Sequence, residues 1–191
     1  MKSKMTKLLA MFAVAISAMT FTSCDDDADV AYLLEGAWSG NMYVHSSYNG
    51  HIYDATYTEI EFFRDYDSGD GVWIDYYSNA PWDYVANHIT WRVVDQNIYI
   101  HFVEDGVNAV IYDYSIDYVH GEKRFTGYIE IEGGDYADFS LTQIASPNWD
   151  SYPNWGYDDW GYGWNKAGND SLPITRGATN LDERPKRIFQ K

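Results

Sequence analysis

The chain has 191 residues, and 29 acidic side chains outweigh 13 basic ones, for a formal net charge of -16. That acidity opposes binding to nucleic acid or to anionic lipid head groups. Without residues 1–23 and the C-terminal tail about 120 residues remain, enough for one hydrophobic core and not two. Eight tryptophans and 18 tyrosines exceed what one small core needs.

Residues 1–23 read as a bacterial secretion signal. Lys2, Lys4 and Lys7 give a positive start, and Leu8 to Met19 are largely apolar. An apolar run of about 12 residues is too short to span a bilayer as a helix, which needs nearer 20. Cys24 is the one cysteine, so a disulfide within the chain is excluded. Phe21-Thr22-Ser23-Cys24 resembles a bacterial lipobox, which implies cleavage before Cys24 and acylation with palmitate-type chains. Several acyl chains hold a protein stably on a membrane, since each buried CH₂ contributes roughly 0.8 kcal/mol. Asp25-Asp26-Asp27 resembles the export signal of surface lipoproteins in Bacteroidetes-type bacteria. It implies a lipid anchor on the outer membrane with the domain exposed at the cell surface; a periplasm-facing anchor is the alternative. Residues 24–31 are expected to be an acidic linker.

From Trp38 onward the apolar pattern has period two. Ile60 and Phe62 alternate with Glu59 and Glu61, and Val72 and Ile74 with Trp73 and Asp75. Ile89, Trp91 and Val93, then Ile98, Ile100 and Phe102, continue it. Phe125, Ile129, Phe139 and Leu141 complete the series. This is what an antiparallel sheet with one wet face requires. Asn-, Asp- and Gly-rich breaks such as Asn49-Gly50 and His120-Gly121 supply tight turns. The expected strands are roughly 36–46, 52–65, 71–78, 87–94, 97–104, 108–118, 123–132 and 135–144. Pro81 keeps the Asn79–Ala86 link out of any central strand. Eight sequential strands of this kind close into an up-and-down barrel; an open sandwich is the rival.

Leu34-Glu35-Gly36-Ala37-Trp38-Ser39-Gly40 resembles the Gly-x-Trp opening of lipocalin-like barrels, in which the tryptophan closes the barrel base. With the signal and the ending Phe139-Ser140-Leu141, the chain resembles the small lipocalin-like lipoproteins of Bacteroidetes-type bacteria over residues 32–145. Ile116-Asp117-Tyr118 partly matches that family's Thr-Asp-Tyr motif, and the last strand has no arginine to cover the opening tryptophan. The fold expected is all-β: an eight-stranded antiparallel lipocalin-like barrel with an aromatic, partly disordered C-terminal tail. In that tail (146–191), residues 146–164 read as an aromatic extension and 165–191 as largely disordered.

No residues point to catalysis. There is no Gly-x-Ser-x-Gly elbow, and the lone cysteine is taken by the lipid. Asp65 to Gly71 looks like a calcium loop, but Tyr76 stands where the twelfth-position glutamate belongs. His45 and His51 can approach across a hairpin, yet zinc needs three or four converging ligands. Neither a cofactor nor a metal is expected. The rings on the register opposite the apolar face are Tyr43, Tyr57, Phe63, Trp73, Tyr77, Tyr99, Tyr128 and Tyr136. Among them Trp73, Tyr77, Tyr99 and Tyr128 are the candidate ligand-binding residues, suited to glycan or protein surfaces. Cross-strand pairing is the other use for such rings.

The reading is a lipid-anchored envelope barrel acting as a non-catalytic binding or structural module, with a glycan or an envelope protein as partner. A small apolar ligand carrier and a glycan-processing enzyme are the alternatives. The inward register (Trp38, Met42, Ile60, Phe62, Val72, Ile74, Trp91, Val93, Ile98, Ile100, Phe102, Phe125, Ile129 and Phe139) fills an eight-stranded interior with large groups, which opposes the carrier.

Overall fold

The computed structural model describes residues 23–132, 134, 136–146 and 185–189. Helix α1 (Ser23–Leu34) leads into β1 (Gly36–Asn41), β2 (Val44–Tyr48), β3 (His51–Asp65) and β4 (Ser68–Tyr77). Then follow β5 (Tyr84–Val94), β6 (Asn97–Phe102), β7 (Val107–Val119), β8 (Glu122–Ile131), β9 (Tyr136–Ile144) and β10 (Lys186–Phe189). β3 to β9 pair in sequence, all antiparallel. β1 closes the ring, pairing with β9 through Trp38↔Gln143 and with β3 through Trp38↔Ile60. The result is an eight-stranded antiparallel barrel. β2 and β10 lie outside the ring, as a flap on the first residues of β3.

The interior is packed with rings. Trp38 meets Phe125 at 5.5 Å, Phe125 meets Phe139 at 4.7 Å, Phe62 meets Trp91 at 5.4 Å and Trp73 meets Phe102 at 5.1 Å. All four contacts are tilted or edge-to-face, the geometry that ring quadrupoles favour. Gly71 faces inward opposite Phe62 and Ile89, and a β carbon there would run into the Glu61 carbonyl and the Ile89 side chain.

Three expectations are corrected. The strand expected over 36–46 is broken into β1 and β2. Asn41 Oδ1 accepts a hydrogen bond from the Tyr43 amide at 2.8 Å, and Tyr43 takes a left-handed φ of 49°. This side-chain turn competes with the ladder and bends the chain away from the ring. The linker expected over 24–31 lies in α1. Ala31 and Leu34, three residues apart on one helix face, are wholly buried against the barrel.

The third correction concerns β4. Trp73 points inward, paired with Ile60, whereas Val72 and Ile74 point outward. They form a second apolar cluster with Tyr84 and Ala86, flanked by Phe63 and Tyr76. Both faces of β4 are therefore covered, and alternation alone does not say which one is inside. Within the segment 165–191, Lys186–Phe189 form a short strand and Phe189 is buried. The aromatic extension 146–164 lies outside the described residues apart from Ser146.

α1 covers one end of the barrel. Leu34 O accepts from Trp38 Nε1 at 2.7 Å, Leu33 O from Lys123 Nζ at 2.7 Å, and Glu35 O from Gln143 Nε2 at 3.2 Å. Asp27 accepts from the Asp95 and Gln96 amides in the β5–β6 turn. Unsatisfied carbonyls of the last helical turn are thus met by side chains from the barrel rim. Lys123 also lies 5.3 Å over the Trp38 ring, so a lysine of β8 covers this tryptophan. Trp38→Ala should lower the unfolding free energy by about 3–5 kcal/mol in denaturant titration, as large-to-alanine core changes do. A loss below about 1 kcal/mol would contradict the packing of the base.

Candidate functional site

The opposite end of the barrel holds a charge network. Asp75 has no solvent exposure and sits inside the ring, paired with Thr58 and Val85. Its Oδ1 accepts from Thr58 Oγ1 at 2.7 Å and from Trp73 Nε1 at 2.8 Å. Its Oδ2 accepts from Arg187 Nε at 2.9 Å and Nη2 at 2.6 Å. Arg187 Nη1 reaches Asp105 Oδ2 at 2.8 Å, and its guanidinium lies 4.4 Å over Phe102. Burial by itself would lower the Arg187 pKa, but the charges of Asp75 and Asp105 hold it above its ordinary value. Such charge-assisted bonds are the strong ones in a desolvated setting.

Beside this network, Tyr77 Oη pairs with Ser46 Oγ at 2.6 Å. Burial, and then the Asp75 charge, push its phenol pKa up. Its ring packs on Trp82 at 5.8 Å, and Trp82 also meets Tyr48 and Tyr53 edge-on. Asn87, opposite Trp73 inside the ring, is wholly buried, and its amide has no hydrogen-bond partner among the described residues.

The outer wall carries an open groove of about 900 Å³ over β4 to β8. Strand pairing aligns Asp70, Thr90, His101 and Asn108 in one outward row. Arg92, Tyr99, Val110 and Glu130 form the next. Asn108 bridges the first row: its Oδ1 lies 2.8 Å from His101 Nδ1, and its Nδ2 donates to Glu132 Oε2 at 2.9 Å. Arg92 lies 5.8 Å over the Tyr99 ring, which is 41% exposed. Burial raises the Asp70 carboxyl pKa; the charge of His88 pulls against this, and that of Asp65 adds to it. The groove joins an exposed ring to carboxylates, an amide and an imidazole.

The four candidate rings therefore separate. Trp73 and Tyr77 are buried, while Tyr99 lies in the groove. Tyr128 is on the same outer wall, stacked on Tyr112 at 6.2 Å and edge-on to Tyr136 at 6.1 Å. His45 is drawn to Asp54, at 2.7 Å, and His51 stands opposite Tyr48. Among the described residues no three metal-ligating side chains converge. Asp65 to Gly71 lies at the β3–β4 hairpin, where Tyr66 takes a φ of 61° and Ser68 Oγ donates to Asp65 O. Sequence reasoning missed Asp75, Arg187 and Asp105. The one available signal was an acid, Asp75, interrupting an apolar run. The chain matches no protein-family model, no curated protein and no solved structure.

His88 and Glu104 are hydrogen-bonded on the rim, with Nδ1 2.5 Å from Oε1 and the His88 amide donating to Oε2 at 2.7 Å. Burial by itself would raise the Glu104 pKa, but these bonds and the imidazole charge hold it below the ordinary 4.5. A carboxyl depressed in the folded state stabilises the fold above its unfolded pKa, and that stabilisation fades as pH falls through the folded value. Glu104→Gln should lower the thermal midpoint at pH 7. Its deficit against wild type should shrink as the pH is taken below 4.5 in a series of melts.

Proposed function

We propose that the chain is a lipid-anchored, non-catalytic binding module of the lipocalin-like lipoprotein kind, whose barrel acts as scaffold rather than container. Its outer groove would take a hydroxyl-rich ligand of the glycan class. The observation that carries this reading is the exposed Tyr99 ring beside Asp70, His101, Asn108 and Glu132. A ring face packs on the C–H face of a sugar, while planar acceptors and donors meet its hydroxyls. The crowded interior argues against the apolar carrier: Trp38, Trp73, Phe62, Phe102 and Phe125 are fully buried there. An eight-stranded barrel holds either its own side chains or one small ligand, and here large side chains occupy the interior.

Screening the purified chain on a glycan array, followed by calorimetry on the best hit, tests the reading. Tyr99→Ala or Asn108→Ala should weaken binding roughly tenfold or more, in line with a lost ring contact or an unpaired polar group. Tight one-to-one uptake of an apolar fluorescent probe, insensitive to both substitutions, would favour the carrier instead.

The placement proposed is the outer membrane, by acylation at Cys24, with the domain at the cell surface. The basic start, the short apolar run and Ser23-Cys24 support it. Cys24→Ala should leave an unprocessed or soluble product in cell fractions. A variant still processed at Ser23 and sedimenting with membranes would reject the anchor.

A further inference from the structure

The barrel end opposite α1 is filled by a remote piece of the chain. β10 adds to the edge of β2 in antiparallel register, from Lys186↔Ser47 to Phe189↔Val44. Alternate side chains then turn inward. The Arg187 side chain, 2% exposed, enters a slot made by Asp75, Asp105, Phe102 and Trp73. Phe189, 1% exposed, joins the barrel core and meets Trp73 edge-on at 6.1 Å. Among the described residues, β10 pairs with β2 alone.

This is the anatomy of a receptor for an extended peptide. Main-chain pairing at a sheet edge supplies affinity, and pockets for alternate side chains supply specificity. The slot is selective for arginine: two guanidinium nitrogens share Asp75 Oδ2, a third reaches Asp105, and the flat cation lies on an aromatic ring. An ammonium has neither the fork nor the plane for this. Every residue of the slot is distant in sequence from its occupant, and residues 145–185 separate β9 from β10. Among the described residues, the ladder with β2, the bonds to Asp75 and Asp105 and the ring contact with Trp73 are made by Lys186–Phe189.

We infer that this end of the barrel is a recognition site for an extended Arg-x-Phe segment, filled in cis by Arg187–Phe189 and open to the same segment of a second copy in trans. The occupant is specified by the fit already present. The segment is also cationic, through Lys186 and Arg187, whereas the chain as a whole carries -16. A tethered strand has the advantage of effective concentration, so exchange between copies requires either high protein concentration or a cis strand that binds poorly. Exchange of an identical element between protomers is a low-cost route to a dimer.

The test uses the full chain carrying Arg187→Ala and Phe189→Ala as acceptor, with a fluorescent peptide of residues 184–191 as probe. Saturable one-to-one binding is expected in anisotropy. A peptide with Arg187→Lys should bind roughly tenfold more weakly, and one with Arg187→Ala about 100-fold more weakly. Asp105→Asn in the acceptor should weaken the wild-type peptide and leave the Arg187→Ala peptide unaffected. If the double variant does not fold, a wild-type chain with a protease site introduced within residues 165–175 replaces it. Once cut, it should exchange its released segment for labelled peptide. No binding by the folded variant and no exchange in the cut chain would overturn the site. For the second copy, an Arg187→Ala chain mixed with an Asp105→Asn chain should sediment as a heterodimer at high concentration. Monomers alone would overturn the trans occupant.

Discussion

A buried ion pair organises this barrel. Asp75 has no contact with water, and a carboxylate removed from solvent loses several kcal/mol of hydration that only close donors restore. Thr58 and Trp73 satisfy one oxygen and Arg187 the other. The consequences spread along the chain. Because Asp75 is inside, its alternate neighbour Trp73 is inside too, and Val72 and Ile74 must find cover outside. Because Arg187 must reach Asp75, the segment around it is drawn to the barrel end and becomes a strand. Removing either partner leaves the other charged and dry, which costs far more than the pair contributes as a unit.

The two ends of the barrel are closed by different physics. At the base, helix carbonyls and the Asp27 carboxylate meet donors from the rim, and Ala31 and Leu34 complete the apolar layer. At the far end a charged side chain does the work, flanked by the Phe189 ring. Between them the interior is a stack of edge-to-face rings. On the outer wall, strand pairing lines up polar groups in rows and aromatic groups in ladders. Tyr57 on Tyr76, at 4.2 Å, and Tyr112 on Tyr128 brace the sheet, while Tyr99 pairs with Arg92.

The barrel was legible in the sequence because period-two alternation is a local consequence of the pleat. Along β5 and β6 the residues Ile89, Trp91, Val93, Ile98, Ile100 and Phe102 all point inward as the pattern implies. Alternation fails in β4, where Phe63, Tyr76 and Tyr84 shelter the outer face and make both sides apolar. α1 was hidden because three aspartates suggest a solvated linker; its helical face is only the spacing of Ala31 and Leu34. Of the groove, Tyr99 was visible as an outward ring. The row of Asp70, Thr90, His101 and Asn108 was not, since it exists only once four strands are in register. Arg187 was out of reach for a similar reason: its partner Asp75 lies 112 residues away.

The helical start of the described chain also bears on orientation. Cys24 is the second residue of α1, and the same helix is fastened to the barrel base through Asp27 and Leu34. A helix of 12 residues rises about 18 Å and does not coil like a polar linker. With the proposed acyl anchor at Cys24, three residues before the fastened Asp27, the helix would hold the barrel base close to the lipid instead of letting it swing on a leash. That base would then face the lipid, and the β10 end would point away from the bilayer, toward whatever approaches from solution.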